Sequence, residues 1–287
     1  MCGYVAIFRN DNTEIPYHLG EDLIHHRGPD DKSILIKENY VLGFWRLSIV
    51  DIDKGRQPME DPVSGLTILF NGEIYNYKEI RKELISRKHS FASQSDTEVI
   101  LRSFVEWGKD CFKMFEGMFS ICLIDSRKDE LILVRDSIGI KPLYYSFSGQ
   151  DLIIASEQKA ILKTVDINAQ INLDSLDDYL LYQSVLGKNT LFKDISKIQR
   201  GEILTLDLRT QKTISTSRIV PESKNLSIES YDDYKKYIKE EITKQTIDAL
   251  DTDLDFDHDI EFASACDIEL DFDLDLDLNC DIDFEID

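Results

Sequence analysis

The apolar stretches of this chain are short, and they come in neighbouring pairs separated by a few polar residues. GMFSICLID (117–125) and ELILVRD (130–136) flank a polar turn at Ser126–Asp129, and PLYYSF (142–147) and DLIIASE (151–157) form a second such pair. Two β-forming runs joined by a short polar turn are typical of a β-hairpin. Because hairpins pair their strands in opposite directions, this pattern predicts antiparallel sheets rather than a parallel βαβ fold.

Further strands and several helices are predicted around these hairpins. The additional strands are expected at 4–9, 33–37, 40–51, 66–75 and 203–208, and the helices at 19–27, 77–88, 95–107, 157–163 and 174–182. Asn76, with Glu79 three residues later, is expected to cap the second helix, and Ser95 with Glu98 forms a capping box for the third. Helices that cover mostly antiparallel sheets define an α+β fold.

The negative charge of the chain is concentrated at one end. The 287 residues carry a net charge of −22, yet no Lys or Arg follows Lys244, and 17 acidic residues lie from Asp248 onward. Acidic and apolar residues alternate through 251–287, a low-complexity composition that predicts a largely disordered tail. Residues 211–250 are expected to contain a Ser- and Thr-rich linker followed by a helix over 231–250.

Composition excludes several classes of protein. The net negative charge argues against nucleic-acid binding. No apolar run approaches the roughly 20 residues of a membrane span, and no secretory signal is recognisable, so a cytoplasmic location is expected. The cysteines are odd in number and lack CxxC spacing, which predicts free thiols rather than disulfides or a zinc site; they are Cys2, Cys111, Cys122, Cys266 and Cys280.

Cys2 has two interpretations. A free cysteine that opens a strand is most often a small buried hydrophobic residue. If Met1 is removed, however, Cys2 carries a thiol and a free α-amine on one carbon. An α-amine titrates near neutrality and can accept the thiol proton, as in N-terminal nucleophile enzymes. Position alone favours the buried thiol.

Two later segments contain groups that suit the same chemistry. Arg46 lies in the otherwise apolar FWRLSIVD (44–51), and its guanidinium can bind a carboxylate through two hydrogen bonds, although an ordinary salt bridge is the commoner explanation. Asn71–Gly72 is most often a hairpin turn. An amide side chain beside an approachable backbone N–H also provides the donors of an oxyanion hole. Acyl transfer requires a nucleophile, a base, an oxyanion hole and a substrate clamp.

The ordered set of motifs resembles a known family. MCG, HHRGPDD, RLSIVD, NGEIYNY, SDTEVIL, FEGMFSICLID, RDSIGIKPLYY and ASEQKAIL occur in the order and spacing of the glutamine-dependent asparagine synthetases. They resemble the N-terminal class II glutamine amidotransferase domain of those enzymes, over residues 2–210. The resemblance implies a four-layer αββα sandwich of two mostly antiparallel sheets, the N-terminal nucleophile hydrolase fold.

The resemblance also implies roles for the matching residues. Cys2 would attack the side-chain amide carbon of L-glutamine and form a glutamyl thioester with release of ammonia, while Arg46 would bind the α-carboxylate of the substrate. The remaining implied roles are an oxyanion hole from Asn71 and Gly72, a pocket lining from the backbone of Leu47, Ser48, Ile49 and Val50, and an α-ammonium site from Glu73 and Asp96. No metal site is implied.

The chain departs from the family pattern at two points. Phe44 stands where the family usually has a histidine, which affects the fine geometry of the pocket rather than the class of protein. Family members also continue into a synthetase domain, whose glycine-rich loop binds pyrophosphate. Residues 231–250 resemble the helix that leads into that domain, and the acidic tail follows where the loop is expected.

These features define the expected function and its alternative. The expected function is a glutaminase half that needs no cofactor, since ATP and Mg would belong to the absent synthetase domain. Its expected partner is the substrate L-glutamine, with a separate synthetase subunit and a homodimer as further options, and without nucleic acid or membrane. The alternative is a catalytically inactive module that binds glutamine or a partner protein.

Overall fold

The computed structural model describes residues 2–9, 19, 21–48, 51, 54–164, 169–220 and 231–253. The strands are β1 (Gly3–Arg9), β2 (Asp31–Ile36), β3 (Tyr40–Arg46), β4 (Met59–Asp61), β5 (Leu66–Ile74), β6 (Gly117–Asp125), β7 (Glu130–Arg135), β8 (Tyr144–Ser148), β9 (Asp151–Ala155), β10 (Ile195–Lys197), β11 (Glu202–Asp207) and β12 (Thr213–Arg218). The α-helices are α1 (Glu21–Ile24), α2 (Tyr77–Ser86), α3 (Asp96–Trp107), α4 (Gln158–Thr164), α5 (Leu173–Tyr182) and α6 (Tyr231–Asp253), and His25–Arg27 and Gly108–Lys113 form 3-10 turns.

The strands form two antiparallel sheets. The first has the order β10-β8-β9-β1-β3-β2, and the second has the order β12-β11-β7-β6-β5-β4. Both predicted hairpins are confirmed, as β6 pairs with β7 and β8 pairs with β9. Short polar turns join these strands, so the pairing is local in sequence, as the apolar pairs predicted.

The two sheets pack face to face through alternating side chains. Tyr4, Ala6 and Phe8 of β1 lie between the sheets, in contact with a cluster that includes Leu69 of β5 and Leu133 of β7. Successive residues of a strand point to opposite faces. The intervening residues of β1 therefore belong to a different cluster, on the outer face of the first sheet.

Helices cover the outer face of each sheet. Val5 and Ile7 of β1 pack with Ile24 of α1 and with Ala160 and Ile161 of α4. On the second sheet, α2 and α3 contribute buried residues to a cluster with β5, β6 and β7. The order of layers is helix, sheet, sheet, helix, which confirms the predicted αββα sandwich.

Several local predictions differ from the structure. Asn76 precedes α2, but its side chain makes no capping hydrogen bond; its amide nitrogen instead donates to the carbonyl of Met114 at 2.8 Å, and its oxygen accepts the N–H of Glu116 at 3.1 Å. In the capping box, Ser95 Oγ accepts the N–H of Glu98 at 3.3 Å, as predicted. The carboxylate of Glu98 binds the N–H groups of residues 92 and 93 rather than that of Ser95.

Regular structure begins early in the predicted linker. Residues 213–218 form β12, an exposed edge strand paired with β11, where a linker was expected. The predicted helix over 231–250 is confirmed as α6, which continues to Asp253 and so includes the first residues of the predicted tail. The disorder predicted for the tail beyond Asp253 lies outside the described residues.

None of the described helices is long and apolar enough to cross a membrane. The three cysteines in the described part of the chain, Cys2, Cys111 and Cys122, are free thiols, as predicted for them.

Candidate active site

The nucleophile candidate, Cys2, lies directly before β1 and is partly buried. The N–H of Leu47 donates to its sulfur at 3.4 Å, and the sulfur also lies 3.5 Å from the carbonyl oxygen of Leu47. Burial raises the pKa of the Cys2 thiol, while the Leu47 hydrogen bond and the nearby charge of Arg46 act in the opposite direction. The thiol is thus held by one neighbouring backbone segment, the one that follows β3.

The HHRGPDD segment supports the backbone of Cys2. Arg27 Nε donates to the carbonyl oxygen of Cys2 at 3.0 Å, and another nitrogen of the same guanidinium donates to Glu157 at 2.9 Å. A Cβ on Gly28 would lie 2.2 Å from the carbonyl oxygen of Trp45, so only glycine fits at this close approach. Arg27 of this motif therefore holds the backbone of Cys2 in place. The sequence analysis did not assign this role to Arg27.

Arg46 ends β3 and is buried beside the thiol. Its Nη2 donates to the carbonyl oxygen of Asp51 at 2.7 Å. The carboxylate of Asp51 in turn accepts the N–H groups of Gln94 at 2.7 Å and Lys54 at 3.0 Å. Asp51, which these hydrogen bonds hold, thus orients the guanidinium through its carbonyl oxygen. The predicted strand 40–51 is shorter in the structure and ends at Arg46.

The remaining residues of RLSIVD are only partly described. Leu47 lines the same pocket as Cys2. Ser48 lies beside it, where its N–H donates to Asp30 at 2.8 Å, and it is absent from the described lining. Ile49 and Val50 lie outside the described residues.

Asn71 and Gly72 lie inside β5, so the hairpin-turn interpretation of this pair is wrong. Asn71 is 1% exposed, and its Nδ2 atom has no hydrogen-bond partner among the described residues. A Cβ on Gly72 would lie 2.1 Å from the carbonyl oxygen of Met118, which excludes any other residue without movement of the backbone. The amide of Asn71 is thus a buried hydrogen-bond donor without an acceptor in the part of the chain that the structure describes. Such donors are rare in proteins unless a ligand accepts the hydrogen bond.

Two carboxylates complete the pocket. Glu73 is buried at the end of β5, and Asp96, 5% exposed, begins α3. Asp96 accepts the N–H of Ile74 at 3.2 Å. Burial raises the pKa of the Asp96 carboxyl from 3.8 to about 7, and the neighbouring charge of Glu73 adds to this effect. A cationic ligand would stabilise the ionised form of such a buried acid.

One pocket brings most of the predicted residues together. Its lining consists of Cys2, Arg46, Leu47, Gly55, Gln57, Phe70, Asn71, Gly72, Glu73, Ser95, Asp96, Thr97 and Lys141. Sequence reasoning missed Gln57, whose side chain accepts the N–H of Phe70 at 2.6 Å and donates to its carbonyl at 3.1 Å. It also gave no role to Lys141, although the RDSIGIKPLYY motif that contains it was recognised. No group of three or more His, Cys, Asp or Glu side chains in the described ranges could hold a metal ion.

Comparisons with known proteins show what this chain is similar to. A family model described as a glutamine amidotransferase domain matches residues 1–217. Asparagine synthetase [glutamine-hydrolyzing] 3 of Bacillus subtilis is 38% identical over 187 residues, which cover 64% of this chain and 30% of that protein. Asparagine synthetase B of Escherichia coli is 39% identical over 168 residues, 56% of this chain and 30% of that protein.

A putative asparagine synthetase of Methanocaldococcus jannaschii is 34% identical over 231 residues, 72% of this chain and 44% of that protein. The chain thus spans less than half the length of these relatives. Among solved structures, a glutamine phosphoribosylpyrophosphate amidotransferase from B. subtilis matches with a TM-score of 0.57 at 17% identity, over 77% of this chain and 50% of that chain. The predicted fold and the predicted resemblance are both confirmed.

Proposed function

Because the chain belongs to the family of glutamine amidotransferase domains, we propose that it hydrolyses L-glutamine to L-glutamate and ammonia through a thioester on Cys2. The observation that carries this proposal is a single pocket lined by the Cys2 thiol and by the buried amide of Asn71, whose Nδ2 has no partner within the described part of the chain. Packing alone requires neither group. Acyl transfer requires both a nucleophile and a hydrogen-bond donor that is available to the oxyanion.

The proposed reaction has two steps. The thiol proton of Cys2 passes to a base while the sulfur attacks the side-chain amide carbon of glutamine, and the carbonyl oxygen becomes an oxyanion. The C–N bond then breaks, the nitrogen takes the proton, and ammonia leaves a glutamyl thioester. Water then attacks the thioester and the C–S bond breaks. Glutamate is released and the free thiol is regenerated.

The α-amine of Cys2 is the base in this scheme, which requires that Met1 be removed. An α-amine titrates near pH 8 and can both accept and return the proton. The scheme uses no cofactor, because nucleophile, base and oxyanion donors all belong to the chain.

Substrate recognition follows from the charges of the pocket. The guanidinium of Arg46, held by Asp51, is suited to the α-carboxylate of glutamine. Glu73 and Asp96 are suited to its α-ammonium group. Asn71 Nδ2 and the N–H of Gly72 provide the oxyanion hole, and Leu47 borders the substrate.

The ammonia is proposed to serve ATP-dependent asparagine synthesis from aspartate. The relatives named above are asparagine synthetases, and more than half of each lies beyond the part that this chain matches. We propose that a separate synthetase subunit uses this ammonia, in the cytoplasm.

The test is release of ammonia from L-glutamine by the full chain, with the N-terminal mass measured on the same sample. Wild type should release ammonia and glutamate in equal amounts. Cys2→Ala should lower the rate by at least about 10³-fold. The matched control is Cys111→Ala, which removes a buried thiol that does not line the pocket and should leave the rate within about threefold.

The alternative function has a distinct signature. Glutamine binding measured by calorimetry without ammonia release would identify a non-catalytic binding module. Equal ammonia release from wild type and Cys2→Ala would refute the thioester.

A further inference from the structure

Lys141 is a buried cation that the proposed chemistry does not use. It is 3% exposed and lines the pocket together with Cys2 and Glu73. In the described part of the chain, no carboxylate lies within ion-pair distance of its ammonium group. A lysine is almost never buried to this degree unless it is paired or functional.

Hydrogen bonds to Asp136 and Arg135 hold both the N–H and the carbonyl oxygen of Lys141. The carboxylate of Asp136 accepts the N–H groups of Gly139 at 2.6 Å, Ile140 at 2.9 Å and Lys141 at 3.0 Å. The guanidinium of Arg135 donates to the carbonyl oxygens of Gly139 at 2.6 Å and Lys141 at 2.7 Å. Ile138 and Ile140 of this turn are exposed, so charge-assisted hydrogen bonds rather than packing hold its backbone. The loop therefore fixes where Lys141 enters the pocket.

The same loop is attached to the strands that carry the oxyanion residues. Asp136 exchanges hydrogen bonds with Phe119, through its backbone N–H at 2.9 Å and its carboxylate at 3.2 Å. Phe119 of β6 is the register partner of Gly72 in β5. Lys141 and the proposed oxyanion hole are thus parts of one hydrogen-bonded unit.

The charges around Lys141 favour an electrostatic role. Burial lowers the pKa of its ammonium, Glu73, Cys2 and Asp136 oppose this change, and the cation of Arg27 adds to it. Across the pocket, the carboxylate of Asp96 disfavours a negative sulfur at Cys2. The cation of Arg46 favours it, but the proposed function assigns Arg46 to the substrate carboxylate. Lys141 is a further cation that lines this pocket, and its charge opposes that of the carboxylates when the thiolate forms.

We propose that the ammonium of Lys141 stabilises the Cys2 thiolate during attack on glutamine, so that Lys141 is an electrostatic positioning residue for the nucleophile. This inference rests on the proposed function for its role in turnover. Lys141 keeps its proton throughout, and the thiol proton passes to the base described above. Lysine and arginine satisfy this requirement, and a neutral residue of similar size does not.

The test measures alkylation of Cys2 by iodoacetamide as a function of pH, because only the thiolate reacts. The full chain is used as wild type, Lys141→Met and Lys141→Arg, and alkylation is read from the mass of the Cys2 peptide. Lys141→Met should move the alkylation midpoint upward by about one pH unit and slow alkylation at pH 7.5 about tenfold. Lys141→Arg should restore most of the wild-type profile. Lys82→Met, a change in an exposed lysine on α2, is the matched control and should leave the profile unchanged.

The same variants separate the two proposals. In the ammonia assay, Lys141→Met should lower kcat about tenfold with KM changed less than about threefold. If Lys141→Met and wild type have the same alkylation profile, the inference is overturned, whatever the turnover. If the profiles differ as expected but wild type releases no ammonia, the electrostatic role stands and the proposed function fails. Equal melting temperatures exclude loss of folding as the cause.

Discussion

Asp96 links the stability of the fold to the proposed binding of substrate. Its carboxyl is nearly fully buried, and its pKa is raised from 3.8 to about 7 by that burial. Between these two pH values the folded chain holds a proton that the unfolded chain has released. The free energy of unfolding therefore falls as pH rises from about 4 to 7. Above pH 7 the full loss of stability from ionising Asp96 is present.

The magnitude follows from the size of this difference. A gap of about 3 pH units corresponds to about 4 kcal/mol of stability lost at pH 8. Asp96→Asn removes the titration and keeps an oxygen that can accept the N–H of Ile74. Because asparagine retains fewer acceptor sites for the helix N–H groups, we expect a net gain of about 2–4 kcal/mol at pH 8. At pH 4.5, where the aspartic acid is neutral, the gain should fall below about 1 kcal/mol.

The assay is urea denaturation of wild type and Asp96→Asn at pH 4.5, 6 and 8. The matched control is Asp110→Asn, which removes a carboxylate that forms an exposed ion pair with Lys113 and should change stability by less than about 0.5 kcal/mol. A variant that is no more stable than wild type at pH 8, or a gain that does not grow with pH, would refute the reasoning. The stabilised variant should also bind glutamine at least about tenfold more weakly, since the proposed partner of the α-ammonium is gone.

Two further substitutions test the geometry of the pocket. Gly72→Ala should destabilise the chain by about 3 kcal/mol or more in thermal unfolding, because its Cβ would lie 2.1 Å from the carbonyl oxygen of Met118; a loss below about 1 kcal/mol would mean that the strands move apart freely. Arg46→Lys keeps the charge but loses the planar fork, so KM for glutamine should rise about tenfold or more in the ammonia assay while kcat falls less. An unchanged KM would remove Arg46 from substrate binding.

The sheets were predictable because their signals are local. Tyr4, Ala6 and Phe8 alternate with other apolar residues along β1, and each hairpin brings together segments that are adjacent in sequence. β12 was missed for a physical reason. All six of its residues are exposed, so the strand is held by backbone pairing with β11 and carries no apolar pattern.

The candidate site was predictable only in part. Cys2, Arg46 and Asn71 could be identified because each is an unusual residue in an apolar setting. Lys141 and Gln57 could not, because a polar residue in a loop gives no sign of burial until distant segments close over it. Asn76 was misassigned for the same reason: the partners of its amide lie about forty residues away in sequence.

The register of one strand pair brings the proposed nucleophile and the proposed substrate clamp together. Gly3 of β1 pairs with Trp45 of β3, so the residues next to them, Cys2 and Arg46, end side by side. A shift of one residue would turn the inner side chains of β1 away from the core, and a shift of two would separate Cys2 from Arg46 by about 7 Å. The strand pairing that builds the first sheet therefore also fixes the geometry of the site. For this reason, core substitutions along β1 should impair the pocket even where they touch none of its residues.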